Sequence, residues 1–222
     1  MKYHVSFDID LKRNPYKGRY IAVEGIDGSG KTTQVEKLAQ YFKSQGREVV
    51  LTREPRKEGV VGNIVQQVLT GKLRIPPAGL QYLFSTDRVL HHEEVIEPAL
   101  KSGKIVISDR CFWSALVYGI LDKVGEYNED TASFLLISQS ILSMYHQFTA
   151  PDNTFLLKVP LELAFERISK KDDVKEIYED KEKLKKLIEG YDWLANKFPQ
   201  EITVVDGEGS VDEVTKRLIS KL

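Results

Sequence analysis

The residues best suited to do chemistry form one run of eight, Gly25-Ile26-Asp27-Gly28-Ser29-Gly30-Lys31-Thr32. The run fits the pattern G-x-x-x-x-G-K-[ST], in which glycines let the backbone curl until several N–H groups face one anion. A helix that begins at the lysine adds the positive end of its dipole. The lysine reaches the β- and γ-phosphates of a nucleoside triphosphate, and the hydroxyl beside it binds Mg²⁺. The sequence therefore predicts a nucleotide phosphate site, whose residues are Gly28, Ser29, Gly30, Lys31, Thr32 and Thr33.

Charged residues also follow two other short apolar runs. Ser108-Asp109-Arg110 ends one of them, and Thr52-Arg53-Glu54-Pro55 follows another. An aspartate at the edge of a sheet holds Mg²⁺ through water or steers an acceptor oxygen, and an arginine clamps a phosphate with a planar, permanently charged fork. Taken alone, Asp109 and Arg110 fit a helix N-cap beside a surface arginine equally well.

An aromatic residue and an arginine, Phe84 and Arg88, lie four positions apart in the run Leu83–Arg88. That spacing places both side chains on one face of a helix.

These residues need a scaffold, and the chain supplies alternating strand and helix patterns. Five short apolar runs predict strands at Arg19–Glu24, Glu48–Thr52, Lys104–Ser108, Asn153–Lys158 and Glu201–Asp206. Longer amphipathic runs predict helices at Lys31–Gln45, Gln81–Leu100, Asn128–Phe148, Leu161–Ser169 and Val211–Leu222. The alternation predicts an α/β fold, a five-stranded parallel sheet with helices on both faces and with ligands at the carboxyl ends of the strands.

Two stretches lie outside this alternation. Residues 170–180 carry eight charged side chains among eleven, which predicts a solvated, mobile lid. Residues 1–18 form a predicted N-terminal extension, either an added edge strand or a loose tail. We expect residues 19–222 to form a single domain.

Composition excludes several classes of protein. The chain has 32 basic and 33 acidic residues, so it lacks the strong positive field of a non-specific nucleic-acid binder. No apolar run is long enough to span a bilayer, and the first residues lack the apolar stretch of a signal peptide. Cys111 is the only cysteine, which rules out an intrachain disulfide. We therefore expect a cytoplasmic protein with no membrane or nucleic-acid partner.

Four motifs together resemble the thymidylate kinase family. They are GIDGSGKTT (25–33), TREP (52–55), LFSTDR (83–88) and DRCFWS (109–114), in the order and at the spacing of that family. The resemblance runs from about Arg19 to the end of the chain. It implies the P-loop NTPase form of the three-layer fold, phosphoryl transfer from Mg-ATP to dTMP giving dTDP, and a homodimer that associates through helices.

The resemblance also implies roles at the phosphate end of the site. Lys31, Asp109, Arg110 and Arg167 match the catalytic residues, with Thr32 and Asp109 near the Mg²⁺ ion. Arg53 and Arg110 match the arginines that hold the acceptor phosphate.

At the nucleoside end, Asp27 matches the residue that binds the acceptor's 3′-hydroxyl and the TREP arginine, Arg53. Phe84 matches the ring that stacks on thymine, and Arg88 matches the group that binds the carbonyl edge of the base. Ser114 and Tyr118 match residues that line the base and sugar, with Tyr118 blocking a ribose 2′-hydroxyl. Packing in the core is the alternative for Phe84 and Tyr118.

Several positions depart from the family pattern. Arg56-Lys57-Glu58-Gly59 replaces two glycines after TREP, and Cys111 replaces a tyrosine, most simply as a small buried side chain. The phosphate loop lacks the arginine found in one branch of the family. We therefore expect the additional cation from the lid, from Arg167 or Lys171; the usual aspartate-arginine pair of the lid appears as Glu176-Ile177.

Two further features have open interpretations. The adjacent His91 and His92 point in different directions on a helix, which predicts a surface or dimer position rather than a metal site. Residues 205–210 resemble the family's loop beside adenine, and the alternative is a plain turn capped by Ser210.

Two alternatives to dTMP phosphorylation remain at this stage. One is a kinase for another pyrimidine monophosphate or for a deoxynucleoside, because a thymine methyl group gives only about 1–3 kcal/mol of discrimination. The other is a nucleotide-binding regulator that has lost catalysis, which the altered lid and TREP continuation suggest.

Overall fold

The fold is built on a five-stranded parallel sheet. A computed structural model of the chain describes residues 8–128, 132–170 and 177–222. The strands are β1 (Arg19–Glu24), β2 (Val49–Arg53), β3 (Ile105–Asp109), β4 (Asn153–Lys158) and β5 (Ile202–Asp206). Their order across the sheet is β2-β3-β1-β4-β5. The predicted α/β class and parallel sheet are confirmed.

Helices cover both faces of this sheet. They are α1 (Lys31–Ser44), α2 (Gly59–Leu69), α3 (Pro77–His91), a π-helical turn (His92–Ile96), α4 (Glu97–Lys101), α5 (Phe112–Lys123), α6 (Ala132–Tyr145), α7 (Leu161–Ser169), α8 (Lys181–Lys197) and α9 (Val211–Ile219). Alternate residues of β1 enter separate cores: Ile21 and Val23 pack with α1 and α9, whereas Tyr20 and Ala22 pack with α3, α5 and α8. Because both faces of β1 are buried, its residues from Tyr20 to Val23 form a continuous apolar run. None of the described helices is long and apolar enough to cross a bilayer.

The helix predicted at Gln81–Leu100 is longer and is interrupted. It begins at Pro77, where the fixed φ of proline suits the first turn and its missing N–H is not needed. A wider π-helical turn lies directly before Pro98 in α4. Proline cannot donate to the preceding turn, so the regular hydrogen-bond ladder changes there.

Three of the helices in the described ranges were not predicted, and α5 shows why. Its residues from Phe112 to Ile120 are all buried, so the sequence lacks the polar face that reveals an amphipathic helix. In α8 the signal was present, because Leu184, Leu187, Tyr191 and Leu194 recur at helical spacing and are buried. The third, α2, is rich in β-branched residues that also suit strands.

The described part of the N-terminal extension forms no strand but crosses the amino-terminal edge of the sheet. The backbone N–H of Ala150 donates to the carbonyl of Lys12 (2.8 Å), and the amide of Asn14 donates to Asp152 (2.8 Å). The hydroxyl of Tyr16 donates to Glu97 on α4 (3.0 Å). This segment therefore lies on the side of the sheet opposite the phosphate loop. Residues 1–7 lie outside the described part of the chain.

Candidate active site

The phosphate loop joins β1 to α1, and its glycines are required by the geometry. Gly28 has φ 79°, and a Cβ atom there would lie 2.3 Å from the carbonyl oxygen of Ala164 on α7. Gly25 has φ 142°, and a Cβ atom there would lie 2.7 Å from the carbonyl oxygen of Leu157 on β4. The left-handed conformation and the close neighbours each exclude larger residues. The packing of β4 and α7 therefore fixes the shape of the loop.

Lys31 is the buried cation of this loop, only 6% exposed. Its Nζ atom donates to the carbonyl of Ile26 (2.8 Å) and lies 3.7 Å from Asp27 Oδ1. Burial, followed by the charge of Arg110, lowers the pKa of Lys31 to about 8. A bound polyphosphate would restore the charged form, because an anion at contact distance favours the ammonium group.

Thr32 and Asp109, predicted at the metal site, are brought together. The hydroxyl of Thr32 donates to Asp109 Oδ2 across 2.5 Å, which links the first turn of α1 to the last residue of β3. Hydroxyl and carboxylate oxygens are the hard ligands that Mg²⁺ prefers, so these residues fit that ion. Within the described ranges there is no group of three or more His, Cys, Asp or Glu residues placed to hold a metal. Mg²⁺ commonly uses one or two carboxylates of a protein and completes its shell with water and substrate phosphates.

Arg110 has an unusual backbone conformation that turns it into the site. Its φ of 74° is the only positive value at a non-glycine residue in the described ranges. Its Nη1 atom donates to the carbonyl of Gly25 (2.9 Å) and to the hydroxyl of Tyr191 (2.9 Å), and Nη2 donates to Asp27 Oδ1 (2.7 Å). The guanidinium is therefore fixed beside the phosphate loop, at the edge of the sheet where acceptor phosphate was expected.

The buried carboxylate of Glu24 lies between Arg110 and the start of α5. It accepts hydrogen bonds from the N–H groups of Cys111 (2.9 Å) and Ser114 (3.2 Å), and from the hydroxyls of Ser114 (2.6 Å) and Tyr191 (2.9 Å). It thus binds the start of α5 and lies 4.0 Å from Arg110 Nη1. Sequence reasoning missed Glu24 and Tyr191. A charged residue at the end of an otherwise apolar, buried strand was the available signal for Glu24.

A second buried network surrounds Arg88. Its Nε atom donates to Glu54 (2.5 Å) and its Nη1 atom donates to the hydroxyl of Tyr145 (2.9 Å). His91 Nδ1 lies 3.2 Å from the other oxygen of Glu54, and His91 Nε2 lies 2.5 Å from the hydroxyl of Thr52. Although burial alone would raise it, the pKa of Glu54 is lowered to about 2 by the charge of Arg88 and by contact with His91. The network links the TREP segment to the helix that carries Phe84 and Arg88.

The surface position predicted for the two histidines is wrong. Both are buried: His91 belongs to the network around Glu54, and His92 stacks on Phe148 with ring centroids 4.7 Å apart. Burial lowers the pKa of His92 to about 4, so its imidazole is neutral at physiological pH. The aromatic neighbours across the chain, which no local pattern reveals, explain the difference.

One cavity of about 570 Å³ unites the two clusters. All but one of the residues matched to catalytic, ATP-binding and dTMP-binding positions line it: Asp27, Gly28, Gly30, Lys31, Thr32, Thr33, Arg53, Phe84, Arg88, Asp109, Arg110, Ser114, Tyr118 and Arg167. Ser29 does not line the cavity; its side chain is buried and its N–H donates to the carbonyl of Ile26 (3.2 Å). The Nε atom of Arg53 is buried without a hydrogen-bond partner among the described residues. The cavity therefore has a cationic wall and an aromatic wall.

Additional lining residues come from the segment that follows β2, from α2, from α5 and from the far end of the predicted lid. They are Glu54, Pro55, Lys57, Gln66, Leu69, Ala115, Tyr178 and Glu179. Tyr178 is buried, so the expectation of a solvated segment is wrong at this position; its hydroxyl donates to Asp122 on α5 (2.6 Å). Lys171 and Glu176 lie outside the described residues. On the near side, Arg167 Nη1 donates to the carbonyls of Gly28 (3.2 Å) and Ser29 (3.4 Å).

The positions that depart from the family pattern have local explanations. Arg56 donates to Asp87 (2.9 Å) and Glu94 (2.7 Å) on the α3 side, so its charge is neutralised there. Cys111 is fully buried at the N-cap of α5, as expected for a small packing residue. Ser210 caps α9 in a capping box with Glu213.

A parallel sheet with a glycine-rich phosphate loop, and with arginines at the same edge, defines a P-loop phosphotransferase that acts on nucleotides. A family model described as thymidylate kinase matches residues 23–218. A probable thymidylate kinase from Thermococcus gammatolerans is 34% identical over 209 residues, 91% of this chain and 94% of the relative. The thymidylate kinase of a Sulfurihydrogenibium species is 32% identical over 207 residues, 92% and 97% of the two chains. A solved structure of thymidylate kinase from Candida albicans covers 92% of this chain and 90% of its own, with 25% identity and a TM-score of 0.75. The chain belongs to the thymidylate kinase family.

Proposed function

We propose that this protein transfers the γ-phosphoryl group of Mg-ATP to dTMP, giving dTDP. Family membership supports both the reaction and ATP as the donor. One structural observation carries the assignment to this site: a single cavity is lined by the phosphate loop, by Arg53 and Arg110, and by Phe84 and Arg88. A transfer between two anions needs this arrangement, in which fixed cations let the phosphates approach in line.

At the donor end, Gly28–Thr33 bind the phosphates of ATP. Lys31 holds the β- and γ-phosphates. Thr32 and Asp109 would hold Mg²⁺, which would supply positive charge against the negative charge of the phosphate oxygens. Arg167 lies against the carbonyls of the loop and is our candidate for an additional cation at the transition state. These groups are held by the fold before substrate arrives, so they need little reorganisation.

At the acceptor end, Arg53 and Arg110 bind the phosphate of dTMP. The buried and unpartnered Nε atom of Arg53 supports this role, since a buried donor costs free energy until an acceptor arrives. Asp27 binds the 3′-hydroxyl while it holds Arg110. Ser114 and Tyr118 line the sugar and base, Phe84 stacks on thymine, and Arg88 offers its Nη2 atom to a carbonyl of the base.

A panel of acceptors tests this assignment. Coupled ADP release with dTMP, dUMP, other pyrimidine monophosphates and thymidine should show the highest kcat/KM for dTMP. The Candida albicans relative is described as having broad substrate specificity, so a secondary acceptor would be compatible with the family. A higher kcat/KM for another acceptor would overturn dTMP as the main substrate. If the protein binds ATP and dTMP but forms no dTDP, a nucleotide-binding regulator would be favoured instead.

The catalytic assignment has a matched pair of variants. Lys31→Ala should reduce kcat about a hundredfold or more, because it removes a preorganised charge worth about 3 kcal/mol in the transition state. Lys37→Ala removes an exposed lysine from the same helix, where it pairs with Asp212, and should leave kcat unchanged. Near-normal turnover by Lys31→Ala would exclude this role for the loop.

We also propose a cytoplasmic homodimer. Tyr82 on α3 is 67% exposed and Leu136 on α6 is 66% exposed, with Leu135 beside it. These exposed apolar side chains lie on helices, and association through helices is what the family resemblance implies. Sedimentation velocity should show a dimer for the wild type and a monomer for Leu136→Glu; a wild-type monomer at micromolar concentration would exclude the proposal.

A further inference from the structure

The Tyr118 ring forms part of the cavity wall and is held by neighbours on two sides. Its side chain is 9% exposed, and the guanidinium carbon of Arg110 lies 5.2 Å from the centre of its ring. Its hydroxyl is buried without a hydrogen-bond partner among the described residues. Tyr118 also lines the cavity together with Asp27 and Ser114, where the sugar of an acceptor nucleotide would lie.

Tyr178 packs against the second side of this ring. The two ring centroids lie 4.8 Å apart with an interplanar angle of 83°, an edge-to-face contact. Tyr178 is itself fixed: its hydroxyl donates to Asp122 (2.6 Å), and the neighbouring N–H of Ile177 donates to the carbonyl of Leu69 (3.1 Å). The Tyr178 ring therefore cannot move away from Tyr118 without breaking this partly buried hydrogen bond.

Asp122 lies one turn beyond Tyr118 on α5 and does not line the cavity. Three side chains are therefore linked in series: Asp122 of α5 accepts the hydrogen bond that holds Tyr178, and Tyr178 packs against Tyr118 of the same helix. Burial raises the pKa of Tyr178, so its phenol remains a donor at physiological pH. An aromatic ring held this firmly excludes a substituent by bulk, whereas a loose ring moves aside to another rotamer.

We propose that Asp122 and Tyr178 are positioning residues that hold Tyr118 against the acceptor sugar and thereby set the preference for 2′-deoxynucleotides over ribonucleotides. This inference rests on the proposed function, because it specifies how the acceptor site of that reaction selects its sugar. The class of ligand it excludes is a pyrimidine ribonucleoside monophosphate, whose additional 2′-hydroxyl would meet the Tyr118 ring.

The test compares two acceptors that differ only at the 2′ position. For the wild type, Tyr178→Phe, Asp122→Ala and the double variant, kcat/KM is measured with dTMP and with 5-methyluridine 5′-monophosphate. We expect the ratio of the two values to fall about tenfold in each single variant, the range of a modest steric discrimination. The double variant should fall no further, because both substitutions break the same contact. Asp122→Asn, which keeps an acceptor oxygen, should retain most of the ratio.

Tyr16→Phe is the matched control. It removes another hydroxyl that donates to a carboxylate, Glu97, at the opposite edge of the sheet, and it should leave the ratio unchanged. If Tyr178→Phe and Asp122→Ala lower both kcat/KM values equally, as a loss of folding would, the positioning role is wrong. It is also wrong if Tyr178→Phe matches the control. A wild type that phosphorylates neither acceptor would instead refute the proposed function.

Discussion

At the scale of single residues, the buried ammonium of Lys31 has a measurable consequence. Its pKa is lowered to about 8, chiefly by burial, so the free enzyme loses this charge as the pH rises above that value. We expect kcat/KM for ATP to decline above about pH 8, because this parameter reports groups of the free enzyme. A Lys31→Arg variant keeps its charge across this pH range. Its kcat/KM should therefore show no decline above pH 8, even if its absolute value is lower than that of the wild type. A wild-type profile that stays flat to pH 10 would contradict the prediction.

The buried pair of Glu54 and Arg88 gives a prediction for stability. Glu54→Gln leaves the Arg88 charge without its partner, which should cost about 3–5 kcal/mol in chemical denaturation. Glu166→Gln, at an exposed ion pair with Lys170, should change the midpoint little. Because the pKa of Glu54 is lowered, its contribution is complete above about pH 4.5 and is lost as the pH falls toward 2. If the two substitutions lower the free energy of unfolding equally, the buried pair contributes no more to stability than the exposed pair.

At the scale of elements, alanine substitutions at Gly28 and Gly46 distinguish the cost of backbone strain from the cost of steric overlap. Gly28 and Gly46 both have positive φ, 79° and 75°, but only Gly28 faces a neighbouring backbone. Gly46→Ala should cost about 1–2 kcal/mol in thermal or chemical unfolding, the penalty for a left-handed alanine. Gly28→Ala adds an overlap with α7 and should also abolish ATP binding in calorimetry. If Gly28→Ala binds ATP normally, the close packing of α7 on the loop is not needed for the site.

At the scale of the whole molecule, the N-terminal segment stabilises the edge of the sheet that lies away from the site. Removing residues 1–16 deletes its bonds to Ala150, Asp152 and Glu97. We expect a loss of about 1.5–4.5 kcal/mol in the free energy of unfolding, since each of these three hydrogen bonds contributes about 0.5–1.5 kcal/mol net. Turnover at 25 °C should be unchanged. Removal of residues 1–7 alone is the control and keeps these contacts; a large fall in kcat with residues 1–16 removed would place the segment in the catalytic mechanism.

The sheet and most of the cavity were predictable because their signals are local. Buried parallel strands are short apolar runs, and the carboxyl edge they share places Arg53, Asp109 and Lys31 near one another. The loop motif also has a spacing that few other structures require.

The supporting contacts were not predictable, since they join residues far apart in the chain. Glu24 meets Tyr191 across 167 positions, and Glu54 meets Arg88 across 34. Helix α5, which is buried from Phe112 to Ile120, gave no periodic signal, although it carries Ser114, Tyr118 and Asp122. The motifs therefore predicted which kind of site the chain forms. The contacts that hold the site residues in place depend on tertiary packing and could not be predicted.

The buried Cys111 gives the molecule a natural chemical reporter. Its sulfur is shielded from solvent at the start of α5, and burial raises the pKa of the thiol well above its usual range. Alkylating reagents attack the thiolate, so they can modify the protein only during excursions that expose this turn. The alkylation rate of Cys111 would therefore report how often the start of α5 opens. A nucleotide that contacts both α5 and the phosphate loop should lower this rate.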